Sequence, residues 1–154
     1  AIARLLADRK GRVYIEAGYL HLRLLRELRR CLPSAATIRP LYLLQAVFKA
    51  AGEKAHLFNP GDLLTLALVF GRPPARERQH LLAARSLVYN QLVSMDEKPI
   101  TEGGFPDARE DIEVIRAVNR MSLDACRRRY AQFQAIKTPA GRRKQIGLPT
   151  MTVE

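Results

Sequence analysis

Tryptophan is missing from this 154-residue chain, cysteine occurs twice, and aromatic side chains make up only 6%. Cys31 and Cys126 are too few for a disulfide framework and lack the close, four-ligand spacing of a zinc site. Each falls on an apolar-periodic position, so both are expected to be small buried hydrophobes. Long apolar runs are missing too. The longest unbroken one is Leu66 to Phe70, and even Leu63 to Phe70, counting Thr65, falls far short of the ~18 residues of a membrane-spanning helix. The three histidines, His21, His56 and His80, show no metal-ligand spacing. No phosphate-binding P-loop, dinucleotide fingerprint or nucleophile elbow occurs. The acids Asp107, Glu110, Asp111 and Glu113 gather in the first turns of a predicted helix, where capping and the helix dipole account for them. The expectation is therefore a protein that is not an enzyme, with no cofactor, no metal and no small-molecule substrate.

Acidic residues are in deficit overall, 15 against 26 Lys and Arg, for a formal charge of +11. The imbalance sits at the ends. Residues 1–36 carry eight basic and three acidic side chains, residues 37–119 ten of each, and residues 120–154 eight and two. A neutral body with two basic ends points to a partner that is negative in a definite place.

Apolar residues recur with the 3.6-residue period of helices, and strand alternation is nearly absent. The pattern predicts a short helix over Ile2–Arg9 and a longer one over Val13–Cys31, ended by Pro33. A third helix opens near Thr37 with Pro40 in its first turn, buries Leu41, Leu44, Val47 and Phe48, and closes at Gly52. The clearest start follows: Asn59 as N-cap, Pro60 at the first helical position, Asp62 in the first turn, and Phe58 with Leu63 as a hydrophobic staple. Leu63 to Phe70 is apolar nearly all round, which predicts the most central helix, with Phe58, Leu63, Leu66 and Phe70 in the core. A fifth helix runs from Ala75 to Ser94 with Leu81, Ala84, Val88 and Leu92 in line, followed by a loop over Asp96–Phe105. Asp107 and Glu110 read as an Asp capping box opening a sixth helix through Ile112, Ile115 and Val118. Ser122 caps a seventh, with Leu123, Cys126, Tyr130 and Phe133 facing inward. The fold class is all-α: about six or seven helices, paired as hairpins in a short solenoid or an irregular bundle. The expected division is a helical domain over 1–136 and an extended basic tail over 137–154, broken by Pro139, Gly141, Gly147 and Pro149.

Phe58-Asn59-Pro60 and Phe105-Pro106-Asp107 open helices 47 residues apart, a spacing within the range of two-helix repeats. The helix from Pro40 to Gly52, followed by Leu57-Phe58-Asn59-Pro60-Gly61-Asp62-Leu63-Leu64 and the apolar run to Phe70, resembles the degenerate helical repeats of organellar RNA-associated proteins, the pentatricopeptide-like and FAST/RAP-type group. The likeness covers about residues 38–95. It implies a helical-repeat fold, an RNA partner and an organellar, mitochondrial setting, and carries over no base-reading residues.

Arginine supplies the candidate site. Arg23, Arg26, Arg29 and Arg30 mark one helix, with Arg23, Arg26 and Arg30 on a single stripe. Arg127, Arg128 and Arg129 mark another, and Arg142, Arg143 and Lys144 lie in the expected tail. Guanidinium groups grip phosphate or carboxylate as a bidentate fork. The leading expectation is a non-catalytic basic subunit of a larger assembly that contacts RNA phosphates in an organellar ribonucleoprotein. A rival is an accessory subunit of a mitochondrial complex that docks on an acidic protein surface and binds no nucleic acid. A third reading takes Asp111–Asn119, the turn Arg120-Met121-Ser122 and Leu123–Gln134 as a DNA-binding helix-turn-helix, although the turn lacks the usual glycine.

Overall fold

The computed structural model describes residues 11–18, 21, 23–94 and 105–149. Seven helices and no strand occur among them: α1 (Leu24–Cys31), α2 (Leu43–Ala50), α3 (Pro60–Val69), α4 (Arg76–Leu92), α5 (Pro106–Asn119), α6 (Leu123–Phe133) and α7 (Pro139–Gln145). The all-α class follows. The helix expected over Ile2–Arg9 and, up to residue 104, the loop expected over Asp96–Phe105 lie outside the described residues. The chain divides into two units, Ala1–Leu44 and Gln45–Glu154.

In the first unit the helix expected from Val13 begins only at Leu24, with Arg23 at its N-cap and no side chain capping it. Residues 12–18 are irregular and exposed. The physical reason is the weakness of local signals upstream. Gly18 lowers helix propensity, and Val13, Tyr14 and Ile15 are exposed, with no packing to supply what propensity lacks. Cys31 is exposed rather than buried, and Leu28 is the buried apolar residue of α1.

The second unit is an irregular bundle around α4, which packs against α3, α5, α6 and α7. Its core joins Val88, Tyr89 and Leu92 of α4 to Val114, Ile115 and Val118 of α5 and Cys126 and Phe133 of α6. Each such side chain taken out of water contributes roughly 1.5–3 kcal/mol before conformational entropy is counted. α3 starts as its sequence dictates: the Asn59 carbonyl Oδ1 accepts the Asp62 N–H at 3.0 Å, and the Asn59 amide donates to the Asp62 carboxylate at 2.8 Å. Its end is equally local. Gly71 at φ +64° turns the chain, its N–H reaching Leu68 O and that of Arg72 reaching Ala67 O, a Schellman closure.

Yet α3 is not the central helix. Only Pro60 and Asp62 of α3 are buried, Leu63 and Leu66 are half-buried, and Leu68 and Phe70 are 56% and 45% exposed. A helix apolar on all sides needs neighbours on all sides, and this one finds its principal partner in α4. Gly61 makes that contact close, because a Cβ there would lie 2.6 Å from Ser86 Oγ. α2 begins at Leu43, after Pro40, and leaves Leu41 exposed at 78% while burying Phe48.

The segment after Lys137 is no extended tail as far as Gln145. Thr138 Oγ1 accepts the Gly141 N–H at 3.2 Å and Pro139 takes the first helical position, so α7 has a complete local start. Ile146 and Leu148 then pack against the core. Residues 150–154 lie outside the described residues.

Candidate nucleic-acid interface

α5 and α6 are joined by Arg120-Met121-Ser122, and Ser122 Oγ accepts the Ala125 N–H at 3.2 Å to start α6. Each of the two helices packs chiefly on α4. α6 keeps one face open. Cys126 and Phe133 are buried at 1% and 0%, whereas Asp124, Arg127, Arg128, Ala131, Gln132 and Ala135 are exposed. Tyr130, expected inside, is 37% exposed.

The arginine triplet divides by helix angle. Arg127 and Arg128 point outward, Arg127 within 3.5 Å of Asp124. Arg129 is half-buried and donates to the Gln132 side chain at 3.0 Å. On α1, Arg23, Arg26, Arg29 and Arg30 are all exposed, and Arg30 pairs with Glu27 at 2.9 Å.

The third expected cluster turns inward. Arg143 is 5% exposed and pairs with Glu110 at 2.6 Å. Arg142 donates to three carbonyls: Ile136 at 2.8 Å, Gln91 at 3.1 Å and Phe133 at 3.3 Å. Gln91 and Phe133 lie in the last turns of α4 and α6, where unpaired carbonyls and the negative dipole ends attract a cation. Of that cluster, Lys144 alone stays exposed.

Several organising residues went unseen in the sequence. Arg85 donates through Nε and Nη2 to Met121 O, at 2.9 and 2.7 Å, and so ties α4 to the turn that aims α6. The signal for it is its place between Leu82 and Val88 on the inward side of α4. Glu110 does not complete a capping box. Phe105 is the N-cap of α5, without a side-chain hydrogen bond, and the Glu110 carboxylate instead accepts the Ser94 N–H at 3.1 Å while pairing with Arg143. The Tyr89 hydroxyl donates to Asp111 at 2.6 Å. Burial raises the Asp111 carboxyl above its ordinary range, partly offset by that hydrogen bond, and nearby Glu110, Asp62 and Asp107 push the same way as burial. His56 lies between the rings of Phe48 and Phe58, with centroids at 4.7 and 4.5 Å. Burial lowers its pKa against the opposing pull of Asp62 and Asp111. Among the described residues no three His, Cys, Asp or Glu side chains are grouped to hold a metal ion, and no helix is long and apolar enough to cross a membrane.

Over 120 residues the chain is 28% identical to an uncharacterized protein of Archaeoglobus fulgidus, an alignment spanning 77% of this chain and 40% of that protein. The chain thus covers less than half the length of this relative. No family model matches the chain, and no solved structure matches it.

Proposed function

We propose that the second unit binds nucleic acid as a helix-turn-helix, with α6 the helix offered to duplex DNA. The observation that carries this reading is the open face of α6. A three-residue turn, fixed by Arg85, joins α5 to α6, and the outward stripe of α6, Asp124, Arg127, Arg128 and Ala131, is left exposed. Two guanidinium groups among small side chains suit a groove. Arginine can reach phosphate or a guanine edge, and alanine lets the helix backbone come near the base pairs. With Arg142 and Arg143 turned inward, the tail offers less to a broad RNA-phosphate surface than the exposed face of α6 offers to a groove. An archaeal relative also gives an organellar setting no support.

The test is binding of the protein to labelled duplex DNA, duplex RNA and single-stranded RNA across a salt series. Duplex DNA is expected to bind best. Arg127→Gln with Arg128→Gln should weaken it and reduce the slope of log affinity against log salt by about 2. Tighter binding of single-stranded RNA would return the reading to an RNA-contacting subunit. Binding of no nucleic acid would favour an acidic protein partner.

A further inference from the structure

Asp124 stands on the exposed stripe of α6, and a face that merely gathered phosphates would have no use for it. It is the single acidic residue between Leu123 and Phe133. It lies three and four positions before Arg127 and Arg128, within reach of both along the helix surface. Its carboxylate takes Arg127 at 3.5 Å, with the two side chains 74% and 71% exposed. Facing a polyanion, a carboxylate there repels every duplex whatever its sequence. The helix dipole accounts for an acid in the first turn of α6. It does not account for what that acid does when the face meets DNA, where the first residues of such a helix come nearest the base edges.

We infer that Asp124 is a specificity-determining residue: with α6 in the major groove, its carboxylate accepts the N4 amino group of a cytosine while Arg127 forks onto O6 and N7 of a guanine in the neighbouring pair. This rests on the duplex-DNA reading of α6 and names the sequence that its face selects. Chemistry singles out the cytosine. An ionised carboxylate only accepts hydrogen bonds. In the major groove adenine sets its N7 acceptor beside its amino group, which opposes a carboxylate, whereas cytosine presents the donor alone. The spacing fits as well. Three residues advance a helix by roughly 4.5 Å and one base pair advances the duplex by about 3.4 Å, so the two side chains fall on adjacent pairs when the helix runs along the groove. The ion pair does not stand in the way. Exposed and at 3.5 Å it is weak, and Arg127 exchanges it readily for a base edge. The same carboxylate lowers affinity for duplexes without the cytosine, and specificity is that difference in affinities.

The experiment uses the intact protein and a library of duplexes with a random centre of two turns, about 20 base pairs, selected for binding and sequenced. The native chain is compared with Asp124→Asn, Asp124→Ala and Arg127→Ala. The native protein is expected to select adjacent guanine and cytosine contacts. Asp124→Asn keeps the size of the side chain and suits a helix start, and it should change the cytosine to adenine, the base that an amide reads. Asp124→Ala should bind the unselected library several-fold tighter, and its preference for cytosine over thymine at that position should fall by roughly 10-fold. Arg127→Ala should lose the guanine and keep the cytosine. Base choice is a readout that a purely helix-starting role would not move. Equal weakening on all duplexes, or the same selected sequence from the native chain and both Asp124 variants, would overturn the inference and leave the α6 site standing. Binding of duplex DNA by the native protein with no sequence enriched would overturn it likewise. Failure of the native protein to bind duplex DNA would overturn both.

Discussion

Arg143 and Glu110 meet at 2.6 Å inside the second unit, both side chains at most 6% exposed, although one belongs to α7 and the other to the first turns of α5. The Glu110 carboxylate is further held by the Ser94 N–H beyond the end of α4. One ion pair thus links the end of α4, the start of α5 and the short C-terminal helix. Arg142 beside it closes on carbonyls from the last turns of α4 and α6. Two adjacent arginines that read as surface charge are interior fasteners.

Breaking this pair from one side should be costly. Glu110→Ala strands a buried guanidinium whose Nε already has no hydrogen-bond partner, and about 3–5 kcal/mol of stability is expected to be lost. Replacing both residues, as Glu110→Leu with Arg143→Met, should cost far less, because no buried charge is left over. Urea unfolding of the two variants checks the contrast, and equal losses would contradict it.

α7 is expected to contribute to the stability of the whole unit. Truncation after Ile136 removes Arg142, Arg143, Ile146 and Leu148 together and uncovers core side chains. The melting temperature should drop by several degrees, since even 1 kcal/mol moves it by about 2–8 °C in domains of this size range. Arg142→Ala alone should cost about 1.5–3 kcal/mol through its charged hydrogen bonds. An unaltered melt after truncation would mean that α7 is peripheral.

The position of the core can be tested by one large-to-small change in each of two helices. Leu92→Ala empties a site with 0% exposure and should cost about 2–5 kcal/mol. Leu68→Ala, at a position 56% exposed, should stay within about 0.5 kcal/mol. The order would reverse if α3 were the central helix.

Asp111 should make stability depend on pH in a defined sense. Burial raises its folded pKa above the unfolded value of 3.8, so the folded state holds the proton more tightly. Stability from this group is present below the unfolded pKa and is lost as pH rises through the folded one. Asp111→Asn keeps an acceptor for the Tyr89 hydroxyl and removes the buried charge. The variant should melt higher than the native protein at neutral pH, with the difference shrinking as pH falls toward 4. Calorimetry across that range reads the sign directly.

Much of the local structure is legible in the residues themselves. Asn59 and Ser122 cap their helices as expected, and Ile112, Ile115, Val118, Cys126 and Phe133 are buried where the helical period places them. Caps and periodicity act over three or four positions, so the sequence alone determined the all-α class, most helix starts in the second unit and the outward course of Arg127 and Arg128. Only the tertiary structure decided which helix is central. Leu63 to Phe70 is the more apolar run, but α4 is the helix that α3, α5, α6 and α7 all contact. Only the tertiary structure decided the fate of the arginines as well. A guanidinium is stable inside when carbonyls and a carboxylate converge on it, and those that hold Arg142 and Arg143 come from Gln91, Glu110, Phe133 and Ile136. Gln91 and Glu110 lie far back along the chain, and no local pattern around Arg142 and Arg143 records that convergence.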